Sequence, residues 1–100
     1  MNTLHIEHPV TDFDTWKSAF DRFAEFRTQN GVTGQQIRRP IDDQNYVLID
    51  LDFNSAGEAA KFLTLLQANV WSSKDNSPAL VGTPQTRILS VVDQSRTVLR

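Results

Sequence analysis

The sequence predicts a single α+β domain, a ferredoxin-like sandwich with the element order β-α-β-β-α-β. Two segments, Leu4–His8 and Tyr46–Phe53, alternate apolar and polar residues as half-buried strands do. A helical stripe of apolar residues follows each of them. Right-handed crossovers place the two helices on one face of a four-stranded antiparallel sheet. Within that sheet, we expect the first and third strands to lie side by side at the centre and to run parallel.

The first helix is predicted from Asp12 to about Gln29. Asp12 is a suitable N-cap, and Asn30-Gly31 is a suitable stop because glycine tolerates the left-handed conformation. The residues expected to face the core recur at spacings of three and four. They are Phe13, Trp16, Phe20, Phe23 and, through its aliphatic stem, Arg27.

A second strand is predicted at Val32–Arg39, and the residues from 40 to 44 connect it to the third strand as a hairpin. Ser55 and Glu58 have the spacing of a capping box, which predicts the start of the second helix. The inward-facing residues of that helix are expected to be Ala59, Phe62, Leu63, Leu66 and Val70.

The last third of the chain contains a long loop and a final strand. Asn69–Thr83 is rich in Ser, Asn, Gly and Pro, and its length suits a lid or a contact arm. Arg87–Val92 is predicted as the fourth strand. The domain is therefore expected to span residues 1–93, and residues 94–100 to form a C-terminal tail with a small apolar group at Val98-Leu99.

Composition excludes several classes of function. A formal charge of −2 and a pI near 5.5 give no electrostatic basis for binding nucleic acid or an anionic membrane. The chain has no cysteine, which excludes disulfides, thiolate metal sites and a cysteine nucleophile. No apolar run approaches the roughly 20 residues of a membrane span. A cytoplasmic location is the expected default.

The sheet face without helices is predicted to be mixed in character. It carries His5, Glu7, Tyr46, Leu48, Asp50 and Asp52. Apolar and aromatic groups beside charged ones suit neither a core nor a solvated surface, and pairing with a second copy would bury them. Because two-fold homodimers are the commonest oligomers, we expect a homodimer.

Several segments resemble a known superfamily. They are His5-Ile-Glu-His8, Val10-Thr-Asp-Phe-Asp-Thr-Trp16, Phe20-Asp21, Gly31-Val32, Asp52-Phe53 and Ala59-Ala-Lys-Phe62. Over roughly residues 3 to 93, the chain resembles small proteins of the dimeric α/β-barrel superfamily. That group includes antibiotic-biosynthesis-monooxygenase-like, polyketide-cyclase-like and haem-degrading proteins. The resemblance implies the dimeric α/β-barrel fold and a monooxygenase- or cyclase-like activity without a cofactor on a small aromatic molecule.

A candidate catalytic group combines His5, Glu7 and Asp50. His5 and Glu7 are two apart on one strand, and Asp50 lies on the neighbouring central strand with the same orientation. A histidine beside carboxylates can act as a general base with a raised pKa. The alternative is a polar network across a dimer interface or one that faces water. Tyr46 and Trp71 are predicted to line the substrate pocket, although Trp71 also suits packing or a dimer contact.

No metal or cofactor is predicted. His5 and His8 are three apart on a strand and so point to opposite faces, and without a bulge they cannot share a metal ion. The haem-degrading relatives use a histidine from the second half of the chain as iron ligand, and no histidine follows His8. Two classes of function remain: an enzyme or binder for a small aromatic molecule, and a non-catalytic dimerisation or stress-related module.

Overall fold

The computed structural model describes residues 1–95, and the predicted apolar pair Val98-Leu99 therefore lies outside the described residues. The order of elements is β1 (Asn2–Pro9), α1 (Phe13–Arg22), α2 (Ala24–Gln29), β2 (Gly34–Arg38), β3 (Tyr46–Phe53), α3 (Ala56–Asn69) and β4 (Gln85–Ser90). The helices cover one face of a four-stranded sheet, which confirms the predicted α+β ferredoxin-like sandwich. None of the helices in this part of the chain is both long enough and apolar enough to cross a membrane.

The sheet has the strand order β2-β3-β1-β4, so β1 and β3 lie at its centre as predicted. They run antiparallel, however, and the prediction that they run parallel is wrong. The chain reverses direction between β1 and the helices and again between the helices and β2. The hairpin from β2 to β3 reverses it once more. Each strand therefore opposes its neighbours throughout the sheet.

The predicted first helix is divided in two at Phe23. In a continuous helix, the carbonyl of Phe20 would accept a hydrogen bond from the N–H of Ala24. Instead, it accepts bonds from the N–H of Phe23 at 3.1 Å and from Nη1 of Arg27 at 2.7 Å. The guanidinium thus takes the place of the backbone donor. Sequence periodicity did not indicate this break, because the apolar stripe continues across it.

The predicted helix starts are confirmed in part. Asp12 caps α1 by accepting a bond from the N–H of Thr15 at 2.9 Å, and Ser55 caps α3 by accepting one from the N–H of Glu58 at 3.2 Å. The reciprocal bond of a capping box, from the N–H of Ser55 to the carboxylate of Glu58, is not formed within residues 1–95. The predicted stop after α2 is confirmed by Gly31, whose φ is +95°.

The core lies between the helices and the alternating inward residues of β1 and β3. Leu4 and Ile6 from β1 pack with the buried row of β3 and with Phe62 from α3. The rings of Phe53 and Phe26 each lie 5.6 Å from that of Phe62. The buried row of β3 consists of Val47, Ile49, Leu51 and Phe53. Burying apolar area of this kind provides about 25 cal/mol per Å² toward folding.

Truncation of Phe62 tests this core. Phe62 is 1% exposed, so Phe62→Ala removes a ring that touches two others and leaves a cavity. We expect the free energy of unfolding in urea to fall by about 3–5 kcal/mol. Lys61→Ala, at the exposed neighbouring position of α3, is the matched control and should stay within about 0.5 kcal/mol of the wild type. Equal losses in the two variants would contradict this description of the core.

Candidate functional site

The helix-free face of the sheet, which we call the open face, carries a hydrogen-bonded network centred on His5. Nδ1 of His5 lies 2.6 Å from Oδ1 of Asp50, and Nε2 lies 2.8 Å from Oε2 of Glu7. The hydroxyl of Tyr46 donates to Oε1 of Glu7 at 2.7 Å, and Nη2 of Arg38 donates to Oδ2 of Asp50 at 2.8 Å. The structure thus brings together the three residues of the predicted catalytic group, and it adds Tyr46, which was predicted to line the substrate pocket.

Strand geometry places these side chains side by side. His5 lies directly opposite Asp50 in the antiparallel pair of β1 and β3, and Glu7 follows two residues along on the same face. Arg38 from β2 reaches Asp50 from the other side. The side chains of His5 and Asp50 are only 17% and 18% exposed, so their contacts are shielded from water.

The protonation of His5 follows from its partners. Burial alone would lower its pKa, but the hydrogen bonds to Glu7 and Asp50 outweigh burial and raise it above the ordinary value. A carboxylate accepts and does not donate, so the contacts on both ring nitrogens are satisfied together only by the imidazolium. The bonds from His5 and Tyr46 lower the pKa of Glu7, and the bond to Glu7 raises that of Tyr46.

Trp71 lies on the opposite side of the sheet from this network. It borders a cavity between the helices and the sheet, whereas Tyr46 lies on the open face, so the two predicted pocket residues do not share a pocket. On the open face, one groove is bordered by Asp50 but not by His5 or Glu7. The predicted site is thereby divided between the two faces of the sheet.

The cavity beneath the helices has an interior volume of about 60 Å³. Six of its lining residues are aromatic: Trp16, Phe20, Phe23, Phe26, Phe62 and Trp71. Asn76, Ser77 and Leu80 of the loop between α3 and β4 close one side. The titratable side chains among the lining residues are His8 and Arg27.

His8 is a buried histidine with a defined tautomer. It is 2% exposed, and its Nδ1 lies 2.8 Å from the backbone oxygen of Pro9. That oxygen only accepts, so Nδ1 carries the proton and Nε2 keeps its lone pair. Burial lowers the pKa of His8, and the bond to Pro9 offsets only part of that effect. Sequence alternation places His8 in the row of Leu4 and Ile6, a signal that pointed to the core side but not to a cavity.

Arg27 is the second buried polar residue of the cavity, at 5% exposed. Its Nη1 donates to the carbonyl of Phe20, its Nε donates to Oε1 of Gln35 at 3.0 Å, and its Cζ lies 3.7 Å from the centre of the Phe20 ring. The apolar stripe predicted that Arg27 faces inward, but it gave no indication that the guanidinium itself would be buried.

The two histidines should titrate on opposite sides of the ordinary value of 6.5. The chain has only these two, so NMR resolves two imidazole signals, which His5→Gln and His8→Gln assign. We expect the midpoint of His5 above 6.5 and that of His8 below it.

The stability that His5 contributes is fully present below pH 6.5 and is lost as the pH rises through its raised pKa. The stability that His8 contributes has the opposite pH dependence. It is fully present above pH 6.5 and is lost as the pH falls through the lowered pKa of His8. Equal midpoints would contradict both assignments.

Comparison with known proteins finds similarity at the level of structure alone. No protein-family model and no curated protein matches the sequence. SnoaB, a cofactor-independent oxygenase from Streptomyces nogalater, is 17% identical with a TM-score of 0.70, and the match covers 93% of this chain and 94% of SnoaB.

Two further solved structures have a similar fold. An antibiotic biosynthesis monooxygenase is 7% identical with a TM-score of 0.68, over 93% of this chain and all of the other. A dimeric ferredoxin-like protein from an uncultured marine organism is 8% identical with a TM-score of 0.64, over 94% of this chain and 97% of the other. The predicted resemblance is therefore confirmed at the level of fold, and this chain has the fold of the antibiotic-biosynthesis-monooxygenase-like and dimeric ferredoxin-like proteins.

Proposed function

We propose that this protein binds a small aromatic molecule in the cavity between its helices and its sheet, and that it acts on that molecule as a cofactor-independent monooxygenase-like enzyme. The observation that carries the proposal is the lining of the cavity: six aromatic rings together with two buried polar groups, His8 and Arg27. An apolar pocket with a few convergent polar groups is the usual form of a small-molecule site.

The loop between α3 and β4 controls the size of this site. A cavity of about 60 Å³ is smaller than the roughly 150 Å³ that accommodates benzene in a protein core. A ligand must therefore displace part of the wall. The wall residues that lie between α3 and β4 are Val70, Trp71, Asn76, Ser77 and Leu80.

The second half of the loop is fixed to the end of β1 by two backbone bonds, from the N–H of Thr11 to the oxygen of Ala79 at 3.0 Å and from the N–H of Val81 to the oxygen of Pro9 at 3.3 Å. The first half is held by the bond from Nη2 of Arg22 to the backbone oxygen of Asp75 at 3.1 Å. We propose that this first half opens to admit the ligand.

The activity in this proposal comes from the solved structures with the same fold. SnoaB is described as a cofactor-independent oxygenase, and other similar structures are described as antibiotic biosynthesis monooxygenases. The six aromatic side chains around this cavity suit an aromatic ligand. The resemblance also implies an alternative activity, which is a polyketide-cyclase-like reaction on the same class of ligand.

The network on the open face supports a second role, in self-association. Both ring nitrogens of His5 and both oxygens of Glu7 already have partners, so the network has the character of a structural interface. The same face carries Leu89, which is 44% exposed at the end of β4. We propose that a second copy covers this face to form a homodimer. The alternative function is a non-catalytic dimerisation module, in which self-association is the only role of the protein.

A catalytic role for His5, Glu7 and Asp50 stays a prediction. It requires a ligand on the open face, inside a dimer, and a change in the partners of His5 during the reaction. The cavity proposal places the ligand on the other side of β1, where His8 and Trp71 lie. The two proposals therefore differ in which histidine a bound ligand would perturb.

Filling the cavity tests the binding proposal. Ala19 is 5% exposed and lines the cavity, so Ala19→Leu inserts three carbon atoms where the ligand would lie. We expect the affinity for 4-nitrophenol, measured by equilibrium dialysis, to fall by at least about tenfold, which corresponds to roughly 1.4 kcal/mol.

Ala60→Leu makes the same change at an exposed position of α3 and should leave the affinity unchanged. Circular dichroism verifies that both variants fold. Unchanged binding by a folded Ala19→Leu variant would place the ligand elsewhere and would refute the proposal.

Removing His5 separates the interface from the catalytic role. His5→Ala leaves Glu7 and Asp50 without their shared partner on a face that a second copy covers. We expect the unfolding free energy to fall by about 1–3 kcal/mol and the dimer to dissociate at higher protein concentration in sedimentation equilibrium. Binding of 4-nitrophenol should be unaffected. If binding or activity were lost while the melting temperature stayed constant, His5 would belong to the reactive site instead.

A further inference from the structure

The open face carries a balanced set of charges only when His5 is protonated. Residues that pair across an antiparallel sheet share a face, so the register of the four described strands identifies the charged side chains of the open face. They are His5, Glu7, Arg38, Asp50, Asp52 and Arg87. Three of them are acidic, and the two arginines together with the imidazolium provide three positive charges. A neutral imidazole leaves the face with one net negative charge.

Charged groups lie around His5 on all four strands. Glu7 on β1 and Asp50 on β3 bind its two ring nitrogens at 2.8 and 2.6 Å. Arg87 of β4 lies directly opposite His5 in the register, and Arg38 of β2 binds the other oxygen of Asp50 at 2.8 Å. Histidine is the side chain of this set whose charge ordinarily changes near neutral pH. The net charge of the open face therefore depends on one proton at His5.

Two further polar groups complete the surroundings of His5. The hydroxyl of Tyr46 donates to Glu7 at 2.7 Å, and this bond raises the pKa of Tyr46, so the phenol stays neutral at pH 9. Asp52 accepts a bond from the hydroxyl of Thr3 at 2.8 Å, further along the same strand pair. Neither group contributes a positive charge that could replace the imidazolium.

Loss of the proton from His5 breaks one contact of the network. A neutral imidazole has one N–H and one lone pair, and a carboxylate oxygen only accepts. The contact with Asp50 or the contact with Glu7 would then join two acceptors. In water, the released carboxylate is hydrated at little cost. Under a second copy it would be a buried charge without a partner, which is strongly destabilising.

A second copy of the chain is the partner that suits this face. Leu48, which is half-buried, and Leu89, which is exposed, place apolar surface beside the charged network. A two-fold axis brings the same patch together from both sides, so the net charge of the open face counts twice at the interface. Two neutral faces do not repel each other, whereas two negative faces repel in a space from which water has been removed.

We propose that the interface between two copies is a proton-binding site, at which the open faces associate with both His5 side chains protonated and separate as those protons are lost. The inference rests on the proposed homodimer and specifies how it is regulated. When the copies associate at a pH where His5 is neutral, each imidazole takes a proton from water and forms a second N–H bond. The same proton returns to water when the copies separate.

Association should weaken as the pH rises. Burial lowers the pKa of His5, but the bonds to Glu7 and Asp50 outweigh burial and raise it in the free protein. Removing water strengthens those ion pairs, which raises the pKa further in the dimer. The association constant is therefore largest below the pKa of the free protein. Between the two pKa values it falls by up to about a hundredfold per pH unit, because two protons leave each dimer, and it levels off above the pKa of the dimer.

Sedimentation equilibrium of the wild-type protein at pH 6 and pH 9 tests the inference. We expect the dissociation constant of the dimer to be at least about tenfold larger at pH 9 than at pH 6. Calorimetric dilution in two buffers of different ionisation enthalpy counts the protons that each dimer releases. That count should approach about two where the dissociation constant changes most steeply with pH.

Three variants separate the charge of the open face from its shape. His5→Gln fixes one net negative charge, so its dimer should be equally weak at pH 6 and pH 9. His5→Gln combined with Glu7→Gln restores a neutral face and keeps an oxygen that accepts from Tyr46. Its dimer should be at least about tenfold tighter than that of His5→Gln, again without pH dependence. His5→Gln combined with Glu25→Gln removes the same charge from an exposed position of α2 and should stay as weak as His5→Gln.

Circular dichroism verifies that the variants fold, and the comparison of the wild type at two pH values decides the inference without them. Equal dissociation constants of a wild-type dimer at pH 6 and pH 9 would overturn the inference and leave the homodimer intact. A pH dependence that persists in folded His5→Gln would do the same. A wild-type protein that is monomeric at both pH values would overturn the proposed self-association together with the inference.

Discussion

The register between β1 and β3 is the constraint on which the rest of the structure depends. It places Ile6 opposite Ile49 on the buried side and His5 opposite Asp50 on the other. Because side chains alternate along a strand, a slip of one residue would move the apolar row into the open and the charged row into the core. The core and the polar network therefore select the same register, and each strengthens the other.

This register gives two histidines of one strand opposite electrostatic environments. His5 lies between two carboxylates that favour its charged form, whereas His8 is buried among aromatic rings that favour its neutral form. The residues are only three apart, and the sheet itself is the boundary between them. Two carboxylates hold His5 in its charged form, and the neutral form of His8 avoids the cost of burying a charge. The separation of these environments follows from pleat geometry.

The sequence was most informative where a simple period applies. Alternation predicted the two central strands and the shared face of His5, Glu7 and Asp50, since a period of two is visible in a single segment. It did not reveal the break at Phe23, which depends on a side chain seven residues from the carbonyl that it binds. The sequence also predicted, wrongly, that Trp71 shares a pocket with Tyr46. A residue beyond the end of a helix belongs to no periodic pattern that would show which face of the sheet its side chain approaches.

The break in the first helix and the charge in the cavity have one cause. A straight helix would satisfy the carbonyl of Phe20 internally and leave the guanidinium of Arg27 without that partner. Dividing the helix gives Arg27 a backbone acceptor, which holds the guanidinium against the ring of Phe20 at the cavity wall. The neutral acceptor fixes its position without cancelling its charge, as a carboxylate would. A residue that shapes the fold is thus also the residue that provides the cavity with a positive charge, and the same bond accounts for both.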